Sequence, residues 1–450
     1  MSARVTTTLS DEARAALLAT LATSNRREQN RDALGSTGRQ PLHTVYGGAH
    51  LFRAGTAARI GELARAQLVE YAPDATRFAE ALGLEGDTTH AEAVYRRVVA
   101  KLEREPVEDY RVDFEDGFGL RSDAEEDDAA TRTALEVAEA LAQGSLPPFF
   151  GLRVRSFGEE TKLRAFRTLD RFLTTLVRAS GGVVPANFVV TLPKVSAARQ
   201  VEVLAELLDA LESGLGLARG AVGVELMIEL PRAIVDRKGR NPLRRLVDAA
   251  DGRCVAVHFG TYDYTAALGI AAAHQSMTHP ACEHAKQAML TALAGTGIRL
   301  SDGATALLPT PPHRGARRTQ SEHDENRAVV HGAWRLAYRN VRHSLAGGFY
   351  QGWDLHPGQV PVRYAAAYAF FLEALETSTA RLASFLEQAT RATRTGAAFD
   401  DAATGQGLLN FFLRAYASGA IDEGDLTRAG LTPSELGTRS FAAILASRAR

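Results

Sequence analysis

Two acids stand alone at the ends of apolar runs, Glu229 in "LMIELPRAI" and Asp263 in "HFGTYDYTAALG". Isolated carboxylates on adjacent strand tips suit Mg²⁺ or Mn²⁺, which accept few protein oxygens and keep positions for water and substrate. The same acids could instead pair with arginines or cap the helices that follow, and spacing alone leaves both readings open. Glu225, four residues before Glu229, shares its strand face and is more simply a structural ion-pair partner than a third ligand. In "GLRVRSFG", Arg153 and Arg155 alternate, so on one strand both would point to the same side. There they could clamp a carboxylate or enolate oxygen, or pair inside the fold with the acids of "DFED". Lys194 in "TLPK" offers a Schiff base or, preferred here, a carboxylate-binding ammonium.

Three further stretches carry chemistry-bearing residues. "HQSMTHPACEH" gathers His274, His279, Cys282 and His284, but in a spacing that no standard zinc site uses. "PPHRGARR" offers His313 and Arg314 either to an anionic substrate group or to solvent. "GWDLHPGQVPVR" sets Trp353, Asp354, His356 and Arg363 around two prolines. That turn either packs a core or ends a strand beside a reacting substrate.

The elements that would position these residues are short β-rich runs alternating with longer amphipathic ones. The runs are "HTVYGGAHLF", "YRVDFEDGFG", "FFGLRVRSF", "NFVVTLPKV", "VGVELMIEL", "CVAVHFGTYDY", "ATALLPTPP" and "FYQGWDLHP". Segments such as "KLRAFRTLDRFLTTLVRA" lie between them, with apolar residues at three- and four-residue spacing. Eight such alternations predict an α/β fold, a (β/α)8 TIM barrel. Polar strand ends, including Glu115, Asp116, Arg153, Lys194, Glu229, Asp263 and His356, would then converge on its C-terminal face. Helical N- and C-terminal extensions are expected over residues 1–40 and 366–450, flanking a barrel over 41–365. The first would be a helix capped by Ser10, with Asp11 and Glu12 in its first turn, followed by a polar connection.

Composition narrows the function. Against 53 acids stand 52 lysines and arginines, which argues against a nucleic-acid binder relying on a broad basic field. No run approaches the ~20 apolar residues of a membrane span. Two cysteines, Cys254 and Cys282, are too few for a disulfide framework and fit a reducing, cytoplasmic setting. No G-x-G-x-x-G or Walker-type loop follows the first strand.

Taken in order, the motifs resemble the HpcH/HpaI aldolase and citrate lyase β-subunit family, a group of divalent-metal (β/α)8 lyases. "VDFEDGFG" resembles its acidic strand-2 motif, "LRVRS" its R-[VI]-N element, "TLPKV" its P-K strand and "MIELPRAI" its I-E-[ST] strand. "FGTYDYTAALG" is similar to the second metal strand and "GWDLHPGQVPV" to the closing I-H-P-x-Q motif. The resemblance implies a carbon–carbon lyase or aldolase with Mg²⁺ or Mn²⁺ on Glu229 and Asp263. It implies Arg153 at a developing enolate oxygen, with Glu115, Asp116 and His356 as proton-transfer groups. Arg155, Lys194, Gly260, Thr261 and Arg314 are the expected contacts to a small carboxylate substrate. Self-association through the C-terminal helices is expected as well. An acyl-CoA lyase or thioesterase, and an inactive barrel serving as a scaffold, are the competing readings. Arg155 stands where many members carry asparagine, and a long segment, "VDRKGRNPLRRLVDAADGR", separates the metal strands. The long segment and the helical extensions at both ends mark a divergent subfamily.

Overall fold

The computed structural model describes residues 10, 12–22, 39–315, 317–395 and 402–448. Its centre is a closed barrel in which β1 to β8 follow one another in sequence order. The strands are β1 (His43–Gly48), β2 (Asp109–Asp113), β3 (Phe149–Arg153), β4 (Phe188–Leu192), β5 (Gly223–Ile228), β6 (Cys254–Phe259), β7 (Arg299–Ala304) and β8 (Gln351–Asp354). All neighbouring pairs are parallel, and β8 closes on β1 through His43 opposite Gly352. The expected TIM barrel is therefore the fold.

Alternation along β2 explains how the barrel is filled. Tyr110, Val112 and Phe114 join the apolar shell shared with helices Asp123–Gln143 and Lys162–Ala179. Asp109, Arg111 and Asp113 point the other way, into the barrel, where all three are buried. A charged interior is tolerated only because its members satisfy one another. Arg111 Nη2 lies 2.8 Å from Glu225 Oε2, Thr191 donates to Glu225 Oε1 at 2.6 Å, and Trp353 Nε1 donates to His258 Nδ1 at 3.1 Å. Burial alone would raise the Glu225 carboxyl, but Arg111 and His258 hold it well below its usual range. Glu225 is thus an interior ion-pair residue, and Trp353 packs the same layer.

Both ends are helical where they are described. Ser10 Oγ accepts from the Ala13 N–H and residues 12–22 are helical, while Asp11 and the connection over 23–38 lie outside the described residues. At the other end one helix, Val360–Thr395, runs through the boundary placed at 365. Its Tyr364, Tyr368 and Phe371 share an apolar cluster with Leu68, Phe78, Trp334, Leu409 and Phe412. The C-terminal helices therefore bury their apolar face on the helices around the barrel. Among the described residues no helix is long and apolar enough to cross a membrane. Cys254 and Cys282 are both free and buried.

A candidate active site at the C-terminal mouth

Five acids and two bases meet where β2 to β6 end. Arg153, the last residue of β3, is buried and grips Asp113 with two bonds, Nε to Oδ1 at 2.8 Å and Nη2 to Oδ2 at 2.5 Å. Its remaining nitrogen, Nη1, faces the loop after β2, 3.2 Å from Glu115 Oε2 and 3.4 Å from Asp116 Oδ2. Lys194, two residues past β4, holds φ at +51°. Left-handed backbone at a non-glycine residue is strained and persists where the surroundings impose it. Here it aims two donors at the mouth. The Lys194 N–H donates to Glu229 Oε1 at 2.7 Å, and Nζ donates to Glu115 Oε1 at 2.6 Å. The same ammonium lies 3.5 Å from Asp263 Oδ2 and 3.6 Å from Asp116 Oδ1.

Proton affinities follow from this crowding. Burial pushes the Glu229 carboxyl well above its usual range; Lys194 opposes the shift, and Glu115 and Asp263 reinforce it. Glu115 is raised as well, by burial and Asp116 against the pull of Arg153 and Lys194. Burial would lower Lys194, but Glu229 and Glu115 win and raise it, so it stays an ammonium at neutral pH. Asp113 is held low, because Arg153 outweighs its burial.

Gly260 contributes space rather than a contact. A Cβ there would sit 2.5 Å from Glu229 Cβ and 2.6 Å from Glu229 Oε2, so only glycine lets β6 run beside that carboxylate. Gly260→Ala is expected to cost about 1–3 kcal/mol of stability through overpacking and to move the Glu229 carboxylate out of position. Thermal melts together with turnover of the variant check this. Thirty-fold or greater loss of turnover in a folded variant is expected, and unchanged turnover would remove Gly260 from the site. Thr261 opens helix Thr261–Ala267, and its buried hydroxyl oxygen has no hydrogen-bond partner. Asp263 lies in the first turn of that helix and not on a strand, where its side chain is 41% exposed and free to reach a ligand.

The residues of the mouth fit a hard cation on chemical grounds. Acids outnumber bases there, and the donors are hard oxygens. Among the described residues no three His, Cys, Asp or Glu groups are arranged as a ready-made metal cage. Glu229 and Asp263 supply only two carboxylates, which matches Mg²⁺ with its retained waters and does not match zinc.

Three expected site residues stand apart from this cluster. β3 ends at Arg153, so Arg155 does not share its strand face. Its Nε bonds Glu126 Oε2 at 2.8 Å on helix Asp123–Gln143, and its Nη2 bonds the Gly119 carbonyl. His356 serves its own turn, with Nδ1 accepting from the Gly358 N–H at 3.0 Å, and burial lowers its pKa. Its neighbour Asp354 is tied to His43 and Arg363. Arg314 is exposed on the loop after β7, where His313 bonds Glu325. The His274–His284 stretch forms no metal cluster either: His279 caps helix Pro280–Leu293 and Cys282 donates to the Ser276 carbonyl. Asp113 was not anticipated as a site residue. The alternation Asp109, Arg111, Asp113, Glu115 was its signal.

The fold is similar to that of a citrate lyase from Burkholderia xenovorans LB400, at 20% identity and TM-score 0.50, covering 77% of this chain and 94% of that one. Malate synthase from Haloferax volcanii aligns at 16% identity and TM-score 0.45, over 92% of this chain and 98% of that one. A HpcH/HpaI aldolase/citrate lyase family protein from Burkholderia cenocepacia J2315 aligns at 13% identity and TM-score 0.39, over 75% and 95%. The neighbours thus include the group that the six motifs resemble. No curated protein gives a significant sequence match. At the level of sequence, residues 21–444 match the family described as Domain of unknown function (DUF6986), and the chain belongs to that family.

Proposed function

We propose that the protein is a divalent-metal-dependent carbon–carbon lyase or aldolase acting on a 2-oxo acid or a similar small carbonyl acid. What supports this most is the single cluster of Glu115, Lys194, Glu229, Asp263 and the free edge of Arg153 at the barrel mouth. Glu229 and Asp263 would hold Mg²⁺ or Mn²⁺, which when bound supplies Lewis-acid polarisation of substrate oxygens. Arg153, fixed by Asp113, presents Nη1 to charge developing on an enolate oxygen. Lys194 offsets the acids and fixes Glu115 by a 2.6 Å bond. Glu115, its pKa raised by burial, is placed to exchange a proton with a carbanionic carbon; Asp116, more exposed, can relay it to solvent.

The test separates this route from imine chemistry, which requires a neutral lysine. With a panel of 2-oxo acids, EDTA is expected to abolish turnover and borohydride to leave Lys194 unlabelled. Covalent trapping at Lys194 with activity retained in EDTA would reverse the assignment.

One observation favours a second reading, an acyl-CoA substrate on the same barrel. A groove of about 1140 Å³ is lined by residues following Lys194, Glu229 and Asp263, among them Ser196, Arg232, Arg237, Lys238 and Tyr264. Its exposed bases suit phosphates, so acyl-CoA thioesters belong in the same panel.

A further inference from the structure

The opposite face of the barrel carries two arginines, Arg299 half-buried and Arg414 exposed, that make no ion pair among the described residues. The buried arginines here are matched by carboxylates: Arg111 by Asp109 and Glu225, Arg153 by Asp113, Arg253 by Asp209 and Glu212. Arg299, the first residue of β7, has no ion pair among the described residues. Its guanidinium lies over the Phe149 ring, 5.1 Å from the centroid, and its buried Nε has no hydrogen-bond partner. Arg414, on helix Ala402–Ser418, lies 3.9 Å over the Tyr350 ring, with Gln40 Oε1 at 3.4 Å as its polar contact. Both line one cavity of about 330 Å³ between the N-terminal ends of the strands and the C-terminal helices.

We propose that this cavity is a second ligand site, for a small organic anion whose carboxylate or phosphate group sits between Arg299 and Arg414. Neither guanidinium is held by a carboxylate in an ion pair, and an oxyanion bonded by both forks would supply that partner. Loss of hydration pulls both arginines below their ordinary pKa, in Arg299 against the opposing pull of Asp109 and Glu225. Asn410 and Gln40 add hydrogen-bonding groups, while Tyr350 and Phe371 offer apolar surface to the body of the ligand. The volume falls within the range of small-molecule sites. Because one wall is the barrel and the other the C-terminal helices, the ligand would tie the two together. It lies at the far end of the strands from the mouth, so its occupancy is independent of the catalytic reading.

The test uses the full chain, with succinate and inorganic phosphate as probes and chloride at equal ionic strength as the control. Wild type is expected to show a saturable rise in Tm of roughly 3 °C with at least one probe. The probe that works identifies the preferred oxyanion. Arg299→Met and Arg414→Met should each weaken binding more than tenfold by calorimetry. Arg299→Met breaks no ion pair among the described residues; should it fail to fold, Arg414→Met carries the test. Glu229→Gln should bind the probe as wild type does. No shift with either probe, an equal shift with chloride, or binding retained in the Arg414→Met variant would overturn the proposal.

Discussion

Glu229→Gln is expected to lower turnover by on the order of 10³-fold, because Lewis-acid stabilisation of several kcal/mol goes with the metal. Asp263→Asn should behave similarly in turnover, while its exposed side chain leaves the apo fold intact. The Glu229 substitution has a second signature, in stability. Burial holds this carboxyl well above 4.5 in the folded protein, with Glu115 and Asp263 adding to the effect and Lys194 opposing it. From about 4.5 upward the unfolded chain has released this proton while the folded protein still holds it. The folded state then binds more protons, so this group's contribution to stability falls as pH rises through that window. Glutamine cannot titrate, so the stability of Glu229→Gln relative to wild type should climb with pH in EDTA. Adding Mg²⁺ should raise the Tm of wild type and leave the variant unmoved. Parallel pH curves, or an equal Mg²⁺ shift in both proteins, would show that Glu229 is neither the strained acid nor the ligand.

What could be read from the sequence divides along physical lines. The barrel was legible because β1 to β6 and β8 carry apolar or alternating runs long enough to mark a strand. β7 was misplaced at "ATALLPTPP", whereas the strand is Arg299–Ala304, "RLSDGA". Its Ser301 and Asp302 are buried, and Asp302 pairs with Lys286 and Ser344, so a tertiary ion pair stands where a hydrophobic signal was sought. Arg155 was assigned to the mouth on the assumption that β3 continued past Arg153. Strand ends are set by the neighbouring strand's register, and here Arg153 is the last residue paired with β4, opposite Thr191. No glycine or proline interrupts Tyr364–Leu372, and one helix, Val360–Thr395, runs across position 365. Glu229 and Lys194 were visible as residues but their relation was not. It depends on a left-handed backbone at Lys194 and a missing Cβ at Gly260, which no pattern of side-chain types encodes.

Arg153→Lys is expected to lose on the order of 10²–10³ in kcat, the cost of removing a preorganised donor from a developing oxyanion. The geometry says why a conservative change should fail. Nε and Nη2 are committed to Asp113, and only that two-point grip leaves Nη1 aimed at Glu115 and Asp116. A lysine ammonium is a point charge that can answer Asp113 or face the mouth, but not both. Stability should fall too, since truncating one partner of a buried ion pair costs about 3–5 kcal/mol and lysine recovers only part of it. The two effects must be separated, because a structural arginine would also destabilise. Turnover is therefore scored per folded enzyme, at a temperature where melts show both proteins folded. Asp113→Asn supplies the comparison: it keeps the Arg153 charge but loosens its orientation, so kcat should fall less than in Arg153→Lys. Loss of Tm with wild-type turnover in folded Arg153→Lys would leave the residue as a structural partner of Asp113 and remove it from the chemistry.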